Sequence, residues 1–227
     1  MADNNLQTLI RRTLSYEFTD GIRDFHHAFW ILITGIYAWI ALDLPSIWLP
    51  FAEFAKSQGL LVTLFITFVL PIGLPLIVSQ IGLHLINEYV RRPWLWRNTG
   101  FIRPKSWILP PNVILISLGI TFGTFVAGIL LAIQFSDASL ILKGMYAGVG
   151  FGCVCMYAAA YVILQLPRYR LVSLIGAAGT LIVLVFPLRV GLVPLIFSLF
   201  WVAVLVISGL YGVMQVAEEQ KRLADAA

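Results

Sequence analysis

Six blocks of apolar residues, each near the length of one bilayer crossing, constrain this chain more than any other feature. They fall at about 28–44, 60–86, 113–134, 144–166, 171–187 and 190–216. A hydrocarbon core about 30 Å thick is spanned by about 20 helical residues. Apolar residues make up 60% of the chain and charged ones only 11%, against about 25% charged in a soluble domain. Lipid is therefore the solvent, and the predicted fold is all-α: a polytopic transmembrane helix bundle of about six spans. The first apolar run, Ala28–Leu42, is short. It reaches a full crossing when extended back through Phe25–His27 and forward to Leu44.

The basic residues alternate in phase with these blocks. Arg11, Arg12 and Arg23 precede the first, and Arg91, Arg92, Arg97, Arg103 and Lys105 follow the second. Arg168 and Arg170 follow the fourth, and Lys221 and Arg222 follow the sixth. Only Lys56, Lys143 and Arg189 fall on the other side. Twelve against three is a positive-inside pattern. It predicts a multi-pass protein of the cytoplasmic membrane with both termini cytoplasmic. The same rule accounts for the net charge of +4, so the basic balance does not call for a nucleic-acid partner.

Residues 1–27 are expected to form a cytoplasmic amphipathic interfacial helix, because Leu6, Leu9, Ile10, Leu14, Phe18, Ile22 and Phe25 recur every three to four residues. Residues 28–216 form the six-span domain and 217–227 a cytoplasmic tail. Met1 to Asn5 are polar, without the layout of a signal peptide, so the first span is expected to be an uncleaved anchor. Between spans one and two, Trp48, Phe51 and Phe54 read as a short interfacial segment with an aromatic belt.

No Asp, Glu, Lys, Arg or His occurs within the last four spans. Ion-coupled transporters and proton pumps usually keep an ionisable group at membrane depth, and the common hydrolase and nucleotide-binding signatures are missing as well. Intramembrane catalysis is therefore not expected. Cys153 and Cys155 lie in an apolar run at a spacing that is neither a redox nor a zinc pair.

What polar chemistry there is lies at the cytoplasmic ends of spans one and two. Gln80, His84 and Glu88 share one helical face at i, i+4, i+8, and His26 and His27 fall at similar depth. Interfacial side chains with wet tips are one reading. Axial ligation of b-type haem (or a quinone site) by His26 or His27 and His84 is a second, with Arg23, Arg91 and Arg92 near enough to meet propionates. A metal or proton site of Asp24, His27, His84 and Glu88 is a third.

Pro71 and Pro75 are expected to kink or break span two. Gly119 and Gly123, and Gly144, Gly148 and Gly152, form small-residue ladders that bring helices close. They predict an internal seam, with a homo-oligomer contact as the alternative. The longest polar stretch, Asn87–Asn112, interleaves Arg91, Arg92, Arg97, Arg103 and Lys105 with Trp94, Trp96 and Trp107. It reads as a loop resting on anionic headgroups, or as a docking surface for a cytoplasmic partner.

An amphipathic N-terminal helix, six spans with both ends inside and a sizeable loop after span two together resemble the layout of ABC-2-type exporter permeases. The resemblance covers the whole chain as architecture and carries no motif. It implies contacts with a separate cytoplasmic ATPase subunit around Leu9–Phe18 and Arg91–Trp107. The expectation is a non-enzymatic, permease-like or accessory subunit of a membrane complex. A redox anchor and a structural or lipid-organising protein are the alternatives.

Overall fold

The computed structural model describes residues 18–65, 70–95, 111–137 and 139–225. All regular structure among them is helical. The helices are α1 (Ile22–Asp43), α2 (Pro45–Ser57), α3 (Leu60–Leu64), α4 (Leu70–Ile86), α5 (Pro111–Phe135), α6 (Ser139–Leu164), α7 (Pro167–Val185) and α8 (Leu192–Asp225). Helix α4 runs on into wide π-helical turns over Asn87–Leu95.

Among the described residues five helices, α1 and α5 to α8, are long and apolar enough to cross a membrane. These apolar helices are those of a multi-pass membrane protein. The remaining apolar block is divided between α3 and the 17 residues of α4. Residues 66–69 between them lie outside the described residues. Pro71 is the second residue of α4, where an N–H would have no intrahelical partner, and the helix continues through Pro75.

Several boundaries differ from the sequence expectation. Helix α1 begins at Ile22, six residues before the expected span, because Gly21 adopts a left-handed conformation (φ 74°) and starts a new helix there. Phe18 and Ile22, expected on an interfacial face, are buried in the protein. Residues 1–17 lie outside the described residues. The expected tail is not a separate piece, since α8 continues unbroken to Asp225. At 1.5 Å per residue its 34 residues reach about 51 Å, so its charged last third projects beyond a core of about 30 Å.

The first part of the expected loop after span two, Asn87–Leu95, is helical. Trp96, Arg97, Arg103, Lys105 and Trp107 lie outside the described residues. Helix α2 is too short to span. It keeps Ile47, Leu49, Phe51 and Phe54 exposed and Ala55 buried, the distribution of a helix lying at an interface.

The core forms where α6, α7 and α8 meet, with α1 against α8. Trp201, Phe197, Leu205 and Val193 of α8 are buried against Tyr157 and Leu164 of α6 and Tyr169, Val172 and Val183 of α7, and Ala28 of α1 joins them. Helix α5 packs on α6 along one seam. There Gly128 and Gly144 come so close that a Cβ on Gly144 would lie 2.8 Å from the Gly128 Cα. On the same seam Ser117 donates to the Gly152 carbonyl at 3.1 Å and Thr121 to the Gly148 carbonyl at 3.1 Å.

The ladder of Gly144, Gly148 and Gly152 thus faces a stripe of Ser117, Thr121, Thr124 and Gly128. It does not face Gly119 and Gly123. Those two point away, with no described atom within 4 Å of an added Cβ.

A buried polar clamp as the candidate functional site

Four helices bring polar side chains to one depth. Counting from the ends at Asp43, Ser139, Val185 and Leu192, the residues Asp24, Tyr157, Tyr169 and Ser208 lie about 24–28 Å along their helices at 1.5 Å per residue. Those four ends belong to one face of the bundle: a Cβ on Gly191 would abut Asp43, and Lys143 donates to the Phe186 carbonyl at 3.2 Å. The polar groups therefore sit near the far boundary of a core about 30 Å thick.

Asp24 is fully buried. It accepts a hydrogen bond from the Ser208 hydroxyl at 2.8 Å and one from the Tyr169 hydroxyl at 3.2 Å. The Arg168 Nε lies 3.5 Å from its Oδ2. Arg168 donates its Nη1 to the Thr19 carbonyl at 2.6 Å and its Nη2 to the Phe18 carbonyl. Its guanidinium stacks 4.9 Å from the Tyr169 ring centre. One arginine thus joins the start of α7 to the segment that precedes α1.

Gly21 makes this approach possible. A Cβ there would collide with the Gly209 backbone on α8, and its positive φ disfavours an L side chain in any case.

Asp20 forms the second half of the clamp. It is fully buried and takes both the Nε and the Nη2 of Arg91, the latter at 2.9 Å, in a two-point ion pair. It also accepts the Ile22 amide at 3.1 Å. Arg91 is only 1% exposed and gives its Nη1 to Asn87 at 3.1 Å. Removing one partner of such a pair strands a buried charge, a loss of about 3–5 kcal/mol.

Beneath the clamp, His27 shares a hydrogen bond with the Tyr157 hydroxyl at 2.8 Å. The Tyr157 ring stacks on Trp201 with centres 6.3 Å apart and meets Tyr169 at a tilt of 56° with centres 5.4 Å apart.

The candidate residues are distributed differently from the expectation. His27 turns to α6, while His84 lies exposed on α4, as does Gln80. The ring nitrogens of His26 are buried without a hydrogen-bond partner among the described residues. Asp24 belongs to Arg168, Tyr169 and Ser208, and Glu88 pairs with Arg92 one turn on at 3.4 Å. Asp24, His27, His84 and Glu88 are thus not gathered as a metal site. No three His, Cys, Asp or Glu among the described residues stand close enough to hold an ion. Arg91 does not lie on headgroups, because Asp20 holds it inside the protein. Arg92 is the exposed one.

Asp20, Tyr157, Arg168, Tyr169 and Ser208 were not legible as a group. One signal was present: two carboxylates four apart at the start of a span need partners at that depth, and Arg91 and Arg168 open or close other spans at the same end. Chemically the arrangement is a fastener. The Asp20 carboxylate accepts from Arg91 and the Ile22 amide, and that of Asp24 accepts from Tyr169 and Ser208 beside Arg168, so both are engaged by protein groups.

The chain matches no protein-family model, and neither a curated protein nor a solved structure is significantly similar to it.

Proposed function

We propose that this chain is a non-enzymatic subunit, accessory or permease-like, of a larger complex in the cytoplasmic membrane, crossing six times with both termini inside. The observation that carries this reading is the uneven covering of the helices. Helix α5 meets the bundle along one seam and leaves Gly119, Gly123 and Ala127, a second small-residue ridge in register, on its exposed side. Helix α4 leaves Gln80 exposed within an apolar stretch.

A polar side chain facing hydrocarbon is costly, and a glycine ridge in lipid forgoes the close packing it permits. Another transmembrane helix resolves both, from a different subunit or from a second copy of the chain. The buried clamp supports a structural role over an enzymatic one, since both carboxylates are engaged by groups of other segments. Twelve basic residues on one side support the inward orientation. A cytoplasmic partner such as an ATPase subunit then meets the protein at the end where Arg92 is exposed and α8 projects.

Site-specific photo-crosslinking in the native membrane tests the reading. A photoreactive residue at position 123 and, separately, one at position 80 are expected to yield the same protein adduct. Adducts with lipid alone from both positions would overturn it.

A further inference from the structure

The His26 imidazole takes no part in the clamp, yet both its ring nitrogens are buried and neither has a hydrogen-bond partner among the described residues. A neutral imidazole carries one donor and one acceptor, and burying both unpaired forfeits the water that would otherwise satisfy them. Such groups are few in native proteins, and each calls for an explanation. The adjacent His27 differs, because its Nδ1 meets the Tyr157 hydroxyl at 2.8 Å.

Helix α4 lies on the His26 side of α1. Ile22 and His26 are four apart and share that side, and Ile22 is buried against Leu83 of α4 and Val216 of α8. Phe25 turns to Gly209 of α8 and His27 to α6. Helix α4 packs mainly along α1. Its continuation is tied down by the Arg91–Asp20 pair within the π-helical turns Asn87–Leu95, a wide and irregular joint. His26 is 17 residues from the end of α1 at Asp43, or about 26 Å. That depth is close to the inner boundary of a hydrocarbon core about 30 Å thick.

The charged groups around His26 are engaged elsewhere among the described residues. On α1, Asp24 is held by Arg168, Tyr169 and Ser208, and Arg23 adds like charge beside His26. Asp20 holds Arg91. On α4 and its continuation, His84 is exposed and Glu88 pairs with Arg92. The charges of α8, Glu218, Glu219, Lys221, Arg222 and Asp225, all lie beyond Val216.

We propose that His26 is an acid-sensitive latch between α1 and α4. While its ring is neutral, α4 lies closed over it. When the ring takes up a proton, α4 tilts off α1 about the π-helical turns, with the Arg91–Asp20 pair as the pivot, and the cation reaches water. Only the open arrangement solvates that cation, so acid favours opening. The open-to-closed ratio rises by up to about tenfold per pH unit below the ordinary histidine range of about 6.5. The switch belongs to the single chain and does not depend on a partner subunit.

Spin labels on α1 and α4 test this in the purified full-length chain in nanodiscs. Phe29→Cys and Ile77→Cys, both at exposed positions, are labelled in a background carrying Cys153→Ala and Cys155→Ala. Double electron–electron resonance at pH 8 is expected to give one short distance. A second, longer-distance population is expected to grow as the pH falls to 5.5. His26→Leu and His26→Gln, neither of which can take up a proton, are each expected to keep the short distance at both pH values, and either suffices if the other fails to fold. His84→Ala is expected to retain the wild-type response. An unchanged distance distribution in the wild type between pH 8 and 5.5 would overturn the proposal. So would a pH response that survives in a folded His26 variant or vanishes in His84→Ala.

Discussion

Helices α1, α6, α7 and α8, which share the core, and helices α4 and α5, which pack separately onto α1 and α6, use the same apolar alphabet in opposite ways. In the first, bulky side chains such as Trp201 and Phe197 are fully enclosed. Buried charges at its boundary pair across the sequence, Asp24 with Arg168 over 144 residues (168 − 24). In the second, α5 turns Leu115, Leu118 and Phe122 outward and Gly119 with them. Hydrophobicity in a membrane protein does not say what is inside. It says only that a helix is in lipid, and packing is decided by small residues, hydroxyls and charges.

Substitutions sharpen this contrast, beginning with the clamp. Asp24→Ala leaves Arg168 buried without its carboxylate and should lower stability by about 3–5 kcal/mol, read as loss of the thermal unfolding transition of the protein in nanodiscs. A Tm within a degree or two of wild type would show that the clamp is decorative.

The two glycine ladders make the comparison directly. Gly144→Leu forces α5 off α6 and is expected to cost about 1–3 kcal/mol. Gly119→Leu, on the open ridge, should leave the isolated chain within about 0.5 kcal/mol of wild type. Equal effects at the two sites would erase the distinction between the packed and the open face of α5.

Thr121→Val removes one hydroxyl-to-carbonyl bond across the α5–α6 seam, for which about 0.6 kcal/mol is expected. Its loss should add to that of Ser117→Ala in a double-mutant comparison. The smallest effect belongs to Arg92→Ala, because an exposed pair one turn apart contributes about 0.3–0.5 kcal/mol. The same change at Arg91 should resemble Asp24→Ala, and that difference between adjacent arginines is measurable by the same unfolding experiment.

The spans themselves were legible because length and apolarity are one-dimensional properties. Five of the expected blocks correspond to long helices, and their errors lie at the ends. Helix α8 runs past Val216 because an amphipathic stretch with Glu218, Glu219, Lys221 and Arg222 continues a helix as readily as an apolar one does.

The seam was not legible. Gly119 and Gly123 have the same spacing as Gly144 and Gly148, and a helix apolar on every side gives no face to choose from. The Ser117, Thr121, Thr124 and Gly128 stripe carries the asymmetry, but small hydroxyls are quiet in a hydropathy reading. The clamp escaped for a different reason. Asp20, Arg91 and Arg168 sit where charges routinely snorkel to water, and only the tertiary arrangement reveals that they face one another.

The clamp also sets an order on the protein's birth. Asp24 finds Tyr169 only 145 residues later and Ser208 only 184 residues later. At about 5–20 residues per second, the ribosome needs roughly 10–40 s to supply the last of these partners. Arg91 is made 71 residues after Asp20, but through that interval Asp24 on the first helix stands at the bilayer without its full set of partners. Its final seat becomes available only when the last helix arrives, so the beginning of the chain is the part that finishes folding last.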